Sequence, residues 1–132
     1  MKALDTNVLV RFLVCDDEVQ AQKAYNLFEA AERRKESLFV PMPVTLEIIW
    51  VLDSVYGVGR REILETFKTL LAMPVLEFQS QHALRRFISM AEKSGADLAD
   101  LLIACESESA GCSRVLTFDK KASGCELFEL MK

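Results

Sequence analysis

Twenty of the 132 residues are acidic, and most sit among basic neighbours on solvated helix faces, Glu29, Glu32 and Glu36 among them. Five stand apart. Asp5 is the only charge between Lys2 and Arg11, and Glu47 is alone in residues 40–52. Asp97 and Asp100 are alone in residues 96–105, and Asp119 directly follows the apolar run Val115-Leu116-Thr117-Phe118. A carboxylate in apolar surroundings is costly unless it meets a cation, a metal or a water-filled cleft. Acids gathered at one edge also repel one another unless a divalent ion joins them. Ligation by oxygen alone, without imidazole or thiolate, selects Mg2+ or Mn2+ over zinc. Such a site leaves coordination positions for water and phosphate oxygens, so the pattern points to metal-assisted hydrolysis of a phosphoester. Spacing does not choose among RNA, DNA and a small phosphoester. Each acid also has a plain structural explanation: Asp97 as a helix N-cap, Glu47 as a partner of Arg11, and Asp5 and Asp119 as turn residues at strand ends.

The elements that must position these acids alternate along the chain. A short strand ends near Asp5, and a helix opens at Thr6 or Asn7, both good capping residues. Helical periodicity covers residues 17–35, 44–56, 60–73, 81–93 and 96–110. Short apolar runs at 38–40, 75–78, 114–118 and 127–130 predict strands, the first stopped by Pro41 and Pro43. This alternation predicts an α/β fold with a mainly parallel central sheet, whose ligand crevice lies beyond the carboxyl ends of the strands. Asp5 and Asp119 fall at that edge, and Glu47 falls near the start of a helix that follows a strand. Asp97 and Asp100, three apart, share one face of a first helical turn.

Composition narrows the field further. Half the chain (51%) is apolar and 27% is charged, which excludes a disordered tail and fits one domain over residues 1–132. No apolar run approaches the ~20 residues of a membrane span. The N-terminus lacks the apolar core of a signal peptide, so a cytoplasmic protein is expected. A net charge of −4 argues against a protein that coats nucleic acid by charge alone, though not against one that meets phosphates through metal ions. The four cysteines form no C-x-x-C pair, and His82 is the single histidine, expected at the surface. Zinc and histidine-based nucleophilic catalysis are therefore disfavoured.

Five ordered blocks carry a resemblance: Leu4-Asp5-Thr6-Asn7-Val8-Leu9, Thr45-Leu46-Glu47-Ile48-Ile49-Trp50, Tyr56-Gly57-Val58 with Glu62-Ile63, Ala96-Asp97-Leu98-Ala99-Asp100, and Leu116-Thr117-Phe118-Asp119. In these the chain resembles PIN-domain ribonucleases, in particular the VapC-type toxins of toxin–antitoxin pairs. The resemblance implies a three-layer α/β/α domain and a Mg2+- or Mn2+-dependent endoribonuclease. Asp5, Glu47, Asp100 and Asp119 would be the catalytic and metal-binding acids, with Asp97 beside them. Thr6, Asn7 and Thr117 would orient the carboxylates. It also implies an RNA substrate, a cognate antitoxin protein that fills the groove, and a homodimer.

The alternatives within the family are an RNA-processing nuclease outside a toxin pair and an inactive PIN-like binding scaffold. Outside it, a haloacid-dehalogenase-type phosphatase needs a second acid where Asn7 stands. A receiver domain needs an acidic pair where Asp5-Thr6 stands. Arg60, Arg61, Lys120 and Lys121 are candidate phosphate contacts or part of a solvated face. Trp50 is expected in the core, with a dimer or antitoxin face as its alternative.

Overall fold

Apolar tripeptides bracketed by proline, glycine or polar residues leave room for strands of two or three residues, and the amphipathic stretches between them are long enough for full helices. The computed structural model describes residues 1–132. In chain order it contains β1 (Lys2–Ala3), α1 (Thr6–Val14), α2 (Glu18–Arg33), β2 (Leu38–Val40), α3 (Met42–Ser54) and α4 (Arg60–Leu71). There follow β3 (Leu76–Phe78), α5 (Gln81–Lys93), α6 (Leu98–Ser109), β4 (Val115–Thr117), a short 3-10 turn (Ala122–Gly124) and β5 (Phe128–Leu130). No helix is long and apolar enough to cross a membrane.

Every strand pair is parallel, as the alternation predicts; α-helices supply the crossovers among β1, β2 and β3, while β4 and β5 are joined through the short 3-10 turn alone. The architecture is α/β/α. Hydrogen bonding, however, divides the strands into two groups rather than one continuous sheet. β1, β2 and β3 lie side by side, with Lys2 opposite Leu38 and Leu38 opposite Leu76. β4 pairs only with β5, Val115 opposite Phe128.

Local chemistry explains the helix starts. Asp5, not Thr6 or Asn7, is the N-cap of α1, accepting the Val8 N–H at 3.2 Å. Asp17 caps α2 by accepting from Gln20 N at 3.0 Å. α3 begins at Met42, two residues before the predicted start, because Pro43 falls in the first turn, where its missing N–H has no intrahelical partner to lose. The other boundaries lie within two residues of the sequence reading. Gly57, at φ +62°, turns the chain out of α3 in a conformation that a side chain would resist.

One hydrophobic cluster joins the elements. Phe67 of α4 and Phe87 of α5 are fully buried and meet edge to face, with ring centroids 6.3 Å apart. The inner face of α3 is filled by Thr45, Ile48, Ile49 and Leu52 at helical spacing. That face excludes Trp50, which is 61% exposed rather than in the core as expected. Its neighbour Ile49 takes the inward position instead.

Candidate active site

Of the acids singled out from the sequence, Asp5, Asp97, Asp100 and Asp119 sit at strand ends or helix starts, and Glu47 lies in the second turn of α3. Leu4 is buried and donates its N–H to Phe39 O at 2.8 Å, which ties the end of β1 to β2 and leaves Asp5 exposed at the head of α1. Asp97 does the same for α6, its Oδ2 accepting from Asp100 N at 3.1 Å. Asp119 follows β4. Its N–H donates to Thr117 Oγ1 at 3.0 Å, and its Oδ1 accepts from Lys121 N at 2.8 Å. Asp5, Asp97 and Asp119 thus each spend one carboxylate oxygen on the local backbone and keep the other free of protein hydrogen bonds. Glu47 points outward from α3 without an ion-pair partner, and Arg11 is committed instead to Asp16 at 3.3 Å.

Asp97, Asp100 and Asp119 form an electrostatic group. The Asp100 carboxyl is held above the ordinary carboxylate range by burial first, then by the charges of Asp97 and Asp119. No cation contributes. Glu47 and Asp5 lie on α3 and at the head of α1, and α3 packs against both α1 and α6. As the side chains stand, no three His, Cys, Asp or Glu residues converge closely enough to hold a metal ion. Asp97, Asp100 and Asp119 are thus close enough to interact but do not close on one point.

The weakened acidity of Asp100 makes a prediction about stability. Its folded-state pKa lies above that of the unfolded chain, so between the two values the folded state holds the proton more tightly. Stability accordingly falls as pH rises through that window, and the full cost remains at neutral pH. In EDTA, Asp100→Asn is expected to melt above the unsubstituted protein near pH 7, with the gap closing below about pH 3. A variant that melts lower at neutral pH would contradict this, and scanning calorimetry at both pH values decides it.

The other sequence candidates divide between local contacts and exposed positions. Thr117 holds the turn through the Asp119 N–H rather than the carboxylate itself. Thr6 is buried and Asn7 exposed, and neither side chain bonds to a carboxylate here. Arg60 is neither a phosphate contact nor part of a solvated face. Its guanidinium donates to the carbonyls of Ala96, Ala91 (3.1 Å) and Ser94 (2.7 Å). Arg61, Lys120 and Lys121 are exposed. His82 is exposed as expected, and all four cysteines are free. Burial pushes the Cys105 thiol up to about 11, which makes it unreactive.

Sequence reasoning missed two residues. One is Arg60. The other is Thr45, fully buried, with a hydroxyl that has no partner. Its signal was present: Ile48, Ile49 and Leu52 lie three, four and seven residues on, so Thr45 shares their inward face.

The donor set fits an oxygen-preferring divalent cation. It offers carboxylates only, several with a free oxygen, and mutual repulsion that a cation would relieve. Comparison with known proteins agrees with the motif pattern. The chain is 28% identical over 121 residues to a VapC ribonuclease of Aquifex aeolicus (strain VF5), covering 92% of this chain and 89% of that protein. The sequence profile of the PIN domain matches residues 2–124. With the parallel α/β architecture and the acids at the strand ends, that near-complete match shows that the chain belongs to the PIN domain family.

Proposed function

We propose that this chain is a divalent-metal-dependent endoribonuclease that hydrolyses RNA phosphodiester bonds and acts as the toxin of a toxin–antitoxin pair. The observation that supports this best is the uncompensated crowding of Asp97, Asp100 and Asp119, beside the helices that bear Asp5 and Glu47. The name of the Aquifex relative points the same way.

In this reading Asp5, Glu47, Asp97, Asp100 and Asp119 hold Mg2+ or Mn2+. When bound, the metal supplies positive charge that stabilises the attacking water oxygen and the leaving oxygen of the phosphodiester. The chain's own contribution is placement. Backbone N–H groups of Val8, Asp100 and Lys121 fix one oxygen each of Asp5, Asp97 and Asp119, so these side chains lose little freedom on engaging a ligand. The acids repel bare phosphate, which makes activity depend on the metal. An antitoxin and a second copy of the chain are the partners in this reading. Exposed Trp50 on α3 and Val55 at its C-cap offer apolar surface available to either. The setting is the cytoplasm, where RNA is at hand.

The test is cleavage of a structured RNA by purified, antitoxin-free protein in Mg2+, in Mn2+ and in EDTA, alongside Mn2+ binding by calorimetry. Cutting with either metal and none in EDTA is expected, with Asp100→Asn inactive in all three. An absence of both cleavage and Mn2+ binding would overturn the nuclease reading in favour of an inactive scaffold.

A further inference from the structure

Beside Asp5 a cleft of about 320 Å³ opens between α1 and α2. Two helical stripes face it. Asn7, Val8 and Arg11 come from α1, spaced one, three and four apart, while Lys23 and Leu27, four apart, come from α2. The two cations are not equivalent. Arg11 is occupied by the protein: its Nε donates to Gln20 Oε1 at 2.7 Å, and its Nη1 donates to Asp16 Oδ1 at 3.3 Å. Lys23 is exposed, and its ammonium pairs with no carboxylate. The cleft therefore joins a proposed catalytic acid, one uncommitted positive charge and a partly apolar wall. Its volume suits one nucleotide.

We propose that this cleft is a nucleotide subsite for single-stranded RNA, in which Lys23 takes a backbone phosphate and Val8 and Leu27 face the attached ribose or base. The inference rests on the reading of the neighbouring acids as an RNA-cleaving site. Its physical logic is charge placement. A phosphate approaching Asp5 meets carboxylate repulsion, and an ammonium within the same cleft offsets it for the flanking nucleotide. The acidic chain thus gains a local foothold for RNA that its net charge of −4 does not provide. Lys23 is a binding residue in this scheme and takes no part in bond cleavage.

The test separates binding from cutting. In the Asp100→Asn background, binding of a fluorescein-labelled, unstructured RNA of about twelve nucleotides is followed by anisotropy across a salt series in EDTA. Lys23→Gln is expected to weaken binding several-fold at low salt. It should also flatten the slope of log K against log salt by about 0.7, the contribution of one single-strand phosphate contact. Lys23→Arg should restore both. Lys35→Asn, which alters a lysine before β2 at φ +56° where asparagine is tolerated, should leave both unchanged. With Asp100 intact, Lys23→Gln should raise KM several-fold and leave kcat as it was. If the parent binds RNA and Lys23→Gln binds equally with the same slope, the subsite is wrong and the nuclease reading stands. If the parent neither binds nor cuts RNA, both fall together.

Discussion

Replacing Asp5 by asparagine is expected to leave a protein that melts as the unsubstituted chain does and, under the proposed function, cuts RNA about two to three orders of magnitude more slowly. The two halves of that result have separate causes. Asp5 caps α1 through a carboxylate oxygen that accepts the Val8 N–H. Asparagine presents a carbonyl oxygen at the same place and caps as well as aspartate. What asparagine lacks is the charge, and with it the means by which, in the proposed reading, Asp5 would help hold a divalent cation. Asp5→Ala, by contrast, removes both functions and should cost roughly 1 kcal/mol of stability in addition to the activity. Measuring melting temperature and metal-dependent cleavage for both variants decides the matter. Wild-type rates for Asp5→Asn would remove Asp5 from the site. A marked loss of stability in the same variant would instead mean that the charge, not the cap, supports the helix.

The largest expected loss of stability outside the core lies at Arg60. α5 ends with carbonyls that have no partner within the helix, at the negative end of its dipole. Arg60, from the first turn of α4, supplies that partner from outside by donating to Ala91, Ser94 and Ala96. Ser94 Oγ accepts the Ala96 N–H at 3.1 Å, so residues 94–96 are fixed from two directions. Asp97 follows immediately and caps α6. Arg60→Met keeps much of the apolar stem and removes every donor, with an expected cost of about 2–3 kcal/mol by urea denaturation. Arg60→Lys should recover less than half of that, because an ammonium cannot span three carbonyls as a planar guanidinium does. Cleavage by Arg60→Met, assayed well below its melting temperature, should also fall, since the segment that delivers Asp97 and Asp100 loses its anchor. An unchanged urea midpoint would show that water satisfies those carbonyls equally well.

The contrast between Asp97 and Arg60 shows which kind of feature a sequence discloses. Asp97 and Asp100 are three apart in a charge-free stretch, and both the cap and the shared helical turn follow from that spacing. The strands and most helix ends were legible for the same reason: hydrophobic period, proline and glycine are local signals. Arg60 binds main-chain carbonyls, which every residue has, so no residue type marks its partners in advance. Trp50 was misplaced because α3 is apolar nearly all round, and period alone did not say which side faced inward. The division of the strands into two hydrogen-bonded groups has no local signal, because which strands pair is a tertiary quantity. As for the site, the acids were identified from their isolation among apolar neighbours and from the family motifs. Which of them approach one another was not, because the electrostatic link of Asp100 to Asp119 spans β4 and the turn after it.

That break also bears on how the molecule breathes. Asp5 follows β1 and Asp119 follows β4, and no backbone hydrogen bond joins the two strands. Their separation is therefore set by no shared ladder, whereas β2 and β3 must break amide hydrogen bonds to separate. The spacing between Asp5 and Asp119 is in this sense a soft coordinate within a stiff frame: each acid is seated on its own turn, and no ladder fixes the gap between the seats.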